Sequence, residues 1–517
     1  MKKDITRRDF LKLAGLLPIS VAAPRFINSL DTNFQTQNKP PNVIVVVLDA
    51  FSALDISLYG YQRETTPNLA RLAEKAVVYH NHYSGGNFTT PGTASLLSGM
   101  LPWKHRQFFH FGEGSEIFVK NNIFSAFENY YRLAYSHNPL ANNLLDKLDW
   151  AGNIDDYVPS KQLFLTTDGF AADWFKKDED IASISWVRIM KKMEEGFAYS
   201  LFLPHFYEPY RENKIASLHP LYPRGIPSVK SDNYFLLEQA VDWLGTLVEN
   251  TPQPFFSYFH LMPPHAPYRT HIDFYERFQG DDWRPAPKPL DLFGEKVNIR
   301  YEDIWKKRTS YDEFILYADR EIGRFFDNLE KSDLLENTWV VLTSDHGELF
   351  ERGVYGHFTP LLYQSVIRVP LMIFEPGRST RIDIFSNTSA VDVLPTLLHV
   401  TGQKEADWTE GSVLPPFTPE QNTDRNLYVL EARSTPQYDP ITVATTIMVK
   451  ENYKLQYFFG YDELGGPGNE RIELYDLKND PEELNDLSSS KPETTAELLH
   501  ALKLKITEVN EPYLNKN

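Results

Sequence analysis

Residues 43–49 read VIVVVLD, an unbroken and largely β-branched run that ends in a carboxylate. Such a run suits a strand buried on both faces of a parallel sheet. Similar runs recur as PFFSYFHL (254–261), WVVLTSD (339–345) and VPLMIFEP (369–376). Helical patterns lie between them: TPNLARLAEKA (66–76), NYFLLEQAVDWLGTLVEN (233–250) and YDEFILYADREIGRFFDNLEKS (311–332). Strands alternating with helices predict an α/β sandwich, a large and mainly parallel sheet flanked by helices. Function in such folds gathers at the carboxyl ends of strands. Asp49 and Asp345 both end strands, so they are expected to meet although they lie far apart in sequence.

Toward the C-terminus the pattern changes. Residues 405–425 are rich in Pro, Thr, Glu and Asn and read as a crossing segment. LYVLEA (427–432), TTIMVKENYKLQYFF (445–459) and RIELYDL (471–477) read as short antiparallel strands, and TTAELLHALKLKITEV (494–509) as a closing helix. A large domain over 42–404 and a small α+β subdomain over 405–517 are therefore expected. Residues 150–235 are the least regular and read as a cap or substrate-selecting insertion.

The chain has 517 residues, long enough for a large core plus a smaller one. Its formal charge of −18 argues against a nucleic-acid partner, because an acidic surface repels phosphate backbones. It contains no cysteine, which excludes disulfides, thiolate metal sites and a cysteine nucleophile. A metal would have to be held by Asp, Glu, His, Asn or a hydroxyl.

The first residues read as an address. TRRDFLK (6–12) precedes a short apolar stretch, LAGLLPISVAA (13–23), too short and too broken by Pro18 to span a membrane. The paired Arg7 and Arg8 before Phe-Leu-Lys resemble a twin-arginine export signal over residues 1–30, which implies a periplasmic or extracellular location. Pro24 sits awkwardly after the small pair Ala22-Ala23; an uncleaved signal would hold the chain at a membrane surface. Residues 31–41 are polar and read as a linker.

Two segments carry chemistry. SDHG (344–347) follows a strand directly, so Asp345 and His346 can turn toward one centre. An Asp oxygen and a His nitrogen suit Zn or Mn and also accept Mg or Ca. The second segment, NFTTPGTASLLSGM (87–100), is a small Pro-containing turn leading into a helix expected from about Gly92. A helix N-terminus favours an anionic ester, and Thr89 or Thr90 is expected just ahead of it.

Taken in order, these segments resemble the sulfatase family of the alkaline phosphatase superfamily, over roughly residues 42–490. NVIVVVLDAFSALDISLYGYQRETTPNLARLAEKAVVY resembles its first metal strand and the helix after it. TTPGTASLLSGMLPWKH resembles its nucleophile segment, HLMPPHAPY its histidine loop, and YADREIGRFFDNLEKSDLLENTWVVLTSDHGE its second metal strand. YGHFTPLLYQSVIRVPLMIFEPG, SAVDVLPTLLHVTG and ELYDLKNDPEELNDL resemble its later signatures. The resemblance implies an alkaline phosphatase-like sandwich and a sulfate- or phosphate-ester hydrolase that holds one divalent ion through Asp49, Thr89, Asp345 and His346. It implies substrate-facing or proton-carrying roles for His265 and His357. His137 and Asn138 fall near the family's lysine region without matching it and are taken as substrate contacts. Asp55, Asp476 and Asp480 are read as structural.

Two departures change the expected chemistry. The family's segment reads C/S-x-P-x-R, and its first residue becomes formylglycine. Counting back from Pro91, that position is Thr89, and the family's Arg falls on Thr93. Threonine carries a β-methyl and cannot give formylglycine, so none is expected. A direct, metal-activated threonine nucleophile is expected instead, as in the phosphoethanolamine and phosphoglycerol transferases. The anionic ester substrate is left open among sulfated or phosphorylated glycans, lipids and small molecules. Two alternatives stand beside the hydrolase: an extracytoplasmic phospho-group transferase, and a non-catalytic protein that binds an anionic ligand.

Overall fold

The computed structural model describes residues 39–109, 115–158, 204–229, 234–295, 299–418, 425–465 and 467–514. The twin-arginine segment, all but the last three residues of the linker, and residues 159–203 and 230–233 of the irregular region lie outside the described residues. Residues 40–517 cluster as one compact unit.

The run around Val43 forms β1 (Asn42–Leu48), and every one of its residues is buried. The alternation of a strand sends its side chains to two different cores. Ile44, Val46 and Leu48 join one apolar cluster, and Val43, Val45 and Val47 join another. Each such side chain contributes on the order of 1.5–3 kcal/mol by leaving water. That two-sided burial is why the run has no polar face.

The other strands of this sheet are β2 (Val77–Tyr83), β3 (Tyr131–Ser136), β4 (Asp156–Val158), β5 (Phe255–Leu261), β6 (Thr338–Thr343), β9 (Leu371–Phe374) and β10 (Ile382–Ser389). A small hairpin of β7 (Leu349–Glu351) and β8 (Val354–Gly356) lies apart. The sheet order is β10-β2-β9-β6-β1-β5-β3-β4. All neighbouring pairs are parallel except those of β9, which runs antiparallel to both β2 and β6. VPLMIFEP was legible as a strand but not in direction, because a run buried on both faces carries no polarity signal.

Helices cover both faces. α1 (Pro67–Ala73), α5 (Leu237–Glu249) and α6 (Tyr301–Lys331) pack on the Ile44 side, and α2 (Thr89–Ser98), α3 (Pro139–Trp150) and α7 (Val393–Val400) on the Val43 side. A further helix, α4, spans Pro204–Leu218. α6 begins ten residues before the expected Tyr311. Its first turns, YEDIWKKRTS, are largely polar, so apolar periodicity does not mark them; Glu302 and Asp303 there suit a helix N-terminus.

The C-terminal strands form a second, antiparallel sheet in the order β11 (Leu427–Glu431), β12 (Ala444–Lys450), β13 (Tyr453–Phe459), β14 (Glu470–Asp476). α8 (Pro492–Leu514) packs Leu498 and Leu502 against Met448, Leu455 and Leu474 of this sheet. Among the described residues no helix is long and apolar enough to cross a membrane. Asp55 pairs with Arg308 at 2.5 Å, and Asp476 and Asp480 accept backbone N–H groups in their turns.

Behind α2 lies a fully buried imidazole with a consequence for stability. His105 Nδ1 accepts the Gln107 N–H at 3.0 Å, and its Nε2 lies 3.0 Å from Ser95 Oγ. Burial holds the ring neutral and pushes its pKa down to about 3, from an ordinary 6.5. In the unfolded chain the ring charges below pH 6.5, while the folded ring does not. The stability it contributes is therefore present above pH 6.5 and lost as pH falls toward 3, by about 1.4 kcal/mol per pH unit. We predict that the gap in melting temperature between wild type and His105→Gln narrows from pH 7 to pH 4.5. A gap independent of pH would contradict this.

Candidate active site

Strands β6, β1, β5 and β3 are neighbours and parallel, so their carboxyl ends lie side by side. Asp49 follows β1, Asp345 and His346 follow β6, His137 and Asn138 follow β3, and His260 is the penultimate residue of β5. The two acids meet as expected: Asp345 Oδ1 accepts the Ala50 N–H at 3.3 Å and the His346 N–H at 3.1 Å. Ala50 adopts a left-handed φ of 58°, an uncommon conformation for a residue with a side chain. Its carbonyl, held by the Tyr311 hydroxyl at 2.6 Å, helps fix that corner.

Thr89 is the first residue of α2, with Phe88 as the N-cap, so the helix starts three residues before the expected Gly92. Gly92 has a different task. A β-carbon there would lie 2.1 Å from the Asp345 carbonyl oxygen. The first turn of α2 can thus sit against the Asp345 loop only without a side chain at this position. Gly92→Ala is expected to lower stability by about 1–3 kcal/mol through this backbone clash. It should also depress turnover by moving Thr89 off Asp345. Thermal melting and steady-state rates test this, and wild-type values for both would contradict it.

The donor set fits a divalent cation. Asp49 Oδ1 and Asp345 Oδ2 are buried and have no hydrogen-bond partner among the described residues. His346 Nδ1 donates to the Gly347 carbonyl at 2.8 Å, which leaves the lone pair on Nε2. That nitrogen lies 3.5 Å from Asp49 Oδ1, 3.6 Å from Asp345 Oδ2 and 3.5 Å from Thr89 Oγ1. Two buried carboxylate oxygens left unpaired beside an imidazole lone pair are costly unless a cation joins them. A mixed oxygen and nitrogen set suits a borderline ion.

Sequence reasoning missed His260. Its Nε2 lies 2.9 Å from Asp49 Oδ2 and 3.7 Å from Asp345 Oδ2, and its Nδ1 is 2.9 Å from the Tyr258 hydroxyl. Donor atoms of Asp49, His260 and Asp345 all lie within 4.8 Å of one another, close enough to share an ion. The signal was present in PFFSYFHL, where an imidazole interrupts an otherwise aromatic, two-sided run.

The electrostatics are those of a crowded carboxylate pair. Burial and the neighbouring Asp49 raise the pKa of Asp345. Burial also pushes Asp49 upward, but His265, His260 and His346 outweigh it and hold Asp49 below the ordinary carboxylate range. Burial would lower His260, yet Asp345 and Asp49 raise it on balance; for His346 burial prevails and lowers it.

Asn138 sits in the centre itself. Its Oδ1 caps α3 by accepting the Leu140 N–H at 2.7 Å. Its Nδ2 donates to Asp49 Oδ2 and, at 3.1 Å, to Thr89 Oγ1. His137 stacks on Phe235 with ring centroids 4.3 Å apart, and its Nδ1 accepts the Met262 N–H at 3.4 Å. Burial pushes its pKa down to about 3, and its buried Nε2 has no partner among the described residues.

The two histidines matched to the family stand beside His346. The His357 ring is centred 4.3 Å from that of His346 and 5.0 Å from that of His265. His357 Nδ1 is held by Glu348 Oε1 at 2.9 Å, leaving Nε2 buried and without a hydrogen-bond partner among the described residues. His265 Nδ1 donates to the Ala266 carbonyl at 2.7 Å. Glu348 is a second residue the sequence reading passed over, though it ends the quoted SDHGE. The Tyr268 hydroxyl donates to its other oxygen at 3.0 Å. Burial would raise its pKa, but the charge and hydrogen bond of His357 lower it on balance.

A family model described as "Sulfatase" matches residues 41–403. A second, described as "N-sulphoglucosamine sulphohydrolase, C-terminal", matches residues 353–512. The chain is similar to the choline-sulfatase of Rhizobium meliloti, with 23% identity over 487 residues that cover 87% of this chain and 83% of the relative. It is similar to the ulvan-active sulfatase of Formosa agariphila, with 24% identity over 443 residues, 81% and 74% of the two chains. Among solved structures, the phosphonate monoester hydrolase of Agrobacterium radiobacter shares its fold with a TM-score of 0.64 at 18% identity, over 92% of this chain and 96% of that one.

Proposed function

The chain belongs to the sulfatase family and is a sulfatase-like ester hydrolase, and from that premise we propose that it cleaves sulfate or phosphate esters of glycans with Thr89 as a direct nucleophile and one divalent cation. One observation carries this reading. Thr89 Oγ1 stands at the N-terminal turn of α2, receives the Asn138 amide and lies 3.5 Å from His346 Nε2, beside two unpaired carboxylate oxygens.

Asp49, Asp345 and His346 would hold the ion, with His260 Nε2 facing the same point. When bound, the ion lowers the pKa of the Thr89 hydroxyl and offsets charge on the transferring group. Thr89 loses its proton to solvent, and its Oγ1, kept in place by the Asn138 amide, attacks sulfur or phosphorus. The bond to the leaving oxygen breaks. His357, braced by Glu348, passes its Nε2 proton to that oxygen, and His265 closes the same wall. Water then attacks the sulfur or phosphorus and gives one proton to His357; the bond to Thr89 Oγ1 breaks, the acid anion leaves, and Thr89 Oγ1 regains its proton from solvent. The free N–H groups of the helix end favour the anion throughout.

The relatives named for choline sulfate and ulvan, and the match to the N-sulphoglucosamine sulphohydrolase model, support sulfate esters and a carbohydrate substrate. They also favour hydrolysis over group transfer. The TRRDFLK signal supports action outside the cytoplasm. A panel of aryl sulfates, phosphomonoesters, phosphodiesters and sulfated sugars, offered to metal-loaded protein with and without acceptor alcohols, tests the reading. Metal-dependent release of sulfate or phosphate is expected. Transfer to the alcohol in preference to water would replace hydrolysis with transferase chemistry, and no turnover of any ester would overturn both.

A further inference from the structure

One basic side chain lies beside the segments that carry Thr89 and His357, and it comes from the turn that follows β11 of the C-terminal sheet. Leu430, in β11, donates its N–H to the Gly85 carbonyl at 3.2 Å and ties that strand to the segment before Thr89. Asn87 Nδ2 donates to the carbonyls of His357 and Thr359, both at 2.8 Å. These bonds gather Phe88, Phe358 and Arg433 into one group. The rings of Phe88 and Phe358 are centred 5.2 Å apart, and Phe358 lies 4.6 Å from the His357 ring. The Arg433 guanidinium lies 5.6 Å from the centre of each phenyl ring.

The guanidinium is aimed by one edge only. Its Nε donates to Glu431 Oε1 at 2.9 Å, and that carboxylate is fixed in turn by the Tyr461 hydroxyl at 2.6 Å on its other oxygen. The two terminal amino groups of Arg433 have no partner among the described residues. A guanidinium with its outer fork open matches a planar or tripodal oxyanion in two-point fashion. Phe358 is 41% exposed, unusual for a phenyl ring beside a buried centre.

Resting on the ester-hydrolase reading, we propose that Arg433 and Phe358 recognise a second anionic group carried on or next to the ring whose ester reacts. The substrate class is then a polyanionic glycan rather than a simple monoester. Sulfate and carboxylate present the same chemistry to Arg433, so probes must separate them.

The test compares wild type, Arg433→Gln, Arg433→Lys and Phe358→Leu on four probes. These are 4-nitrophenyl sulfate, a monosulfated neutral disaccharide, a disulfated disaccharide and a monosulfated disaccharide bearing a uronate. For Arg433→Gln the rise in KM on the doubly anionic probes should exceed that on the singly anionic ones by about tenfold or more, as expected for a lost charge-assisted contact. Arg433→Lys should recover part of it. The doubly anionic probe with the larger ratio identifies the second group. Calorimetric titration of the disulfated disaccharide into Thr89→Ala protein, with and without Arg433→Gln, reads the same site without turnover. An equal loss on all four probes would show that Arg433 merely supports the fold, and no loss on any would show that it is idle; either overturns the proposal. Absence of turnover by wild type, with Arg433-dependent binding intact, would instead sink the hydrolase reading alone.

Discussion

Thr89→Ala is expected to lower ester turnover by about three orders of magnitude or more, while Thr89→Ser keeps measurable activity. The alanine removes the only hydroxyl at the first turn of α2 that receives the Asn138 amide and faces His346 Nε2. It leaves Asp49, Asp345, His346, the histidine wall and the helix end in place, so substrate affinity should change little. Loss confined to kcat is the mark of a group needed only in the chemical step. Serine restores the oxygen without the methyl and should restore part of the rate. The residue is 1% exposed on a well-packed helix, so trimming the side chain also costs some stability. Melting curves separate that from the kinetic effect. A Thr89→Ala enzyme with near-wild-type kcat would move the nucleophile to a bound water or to another side chain.

The second large effect concerns the ion. Asp345→Asn is nearly isosteric, but it replaces one of the two carboxylates that meet at the site. Its Oδ1 also holds the Ala50 and His346 amides, a role asparagine can keep through its own carbonyl. With its Oδ1 so engaged, the new amide nitrogen would take the place of the unpaired Oδ2. We expect metal affinity to fall by at least about 100-fold, and turnover with it. Metal content after dialysis reads the binding independently of activity. Retention of a full equivalent of metal by Asp345→Asn would show that the ion, if any, is held elsewhere.

The sequence carried the frame of this enzyme clearly. VIVVVLD and WVVLTSD were legible as buried parallel strands because two-sided burial leaves no polar position, and their terminal acids named the place where they meet. The resemblance of TTPGTASLLSGM to a nucleophile segment located Thr89 while its chemistry set it apart. What escaped was long-range. His260 belongs to the site only because β5 lies beside β1, a register no local pattern displays. Glu348 meets His357, nine residues away across a hairpin. Arg433 comes to lie by Phe88 and Phe358 through a bond between β11 and Gly85, and nothing around EARST signals that contact. The direction of β9 stayed hidden because a run buried on both faces carries no polarity signal, and the first turns of α6 because they are largely polar.

The account stands or falls on a covalent bond at Thr89. Metal-loaded protein mixed with a saturating aryl sulfate or phosphomonoester, quenched in acid within the first turnovers and digested, should yield the peptide containing residues 87–100 with a sulfo or phospho group on Thr89. That group should be absent from Thr89→Ala protein and from metal-stripped protein. Robust turnover with an unmodified Thr89 peptide at every quench time, in an enzyme whose Thr89→Ala variant remains active, would contradict it.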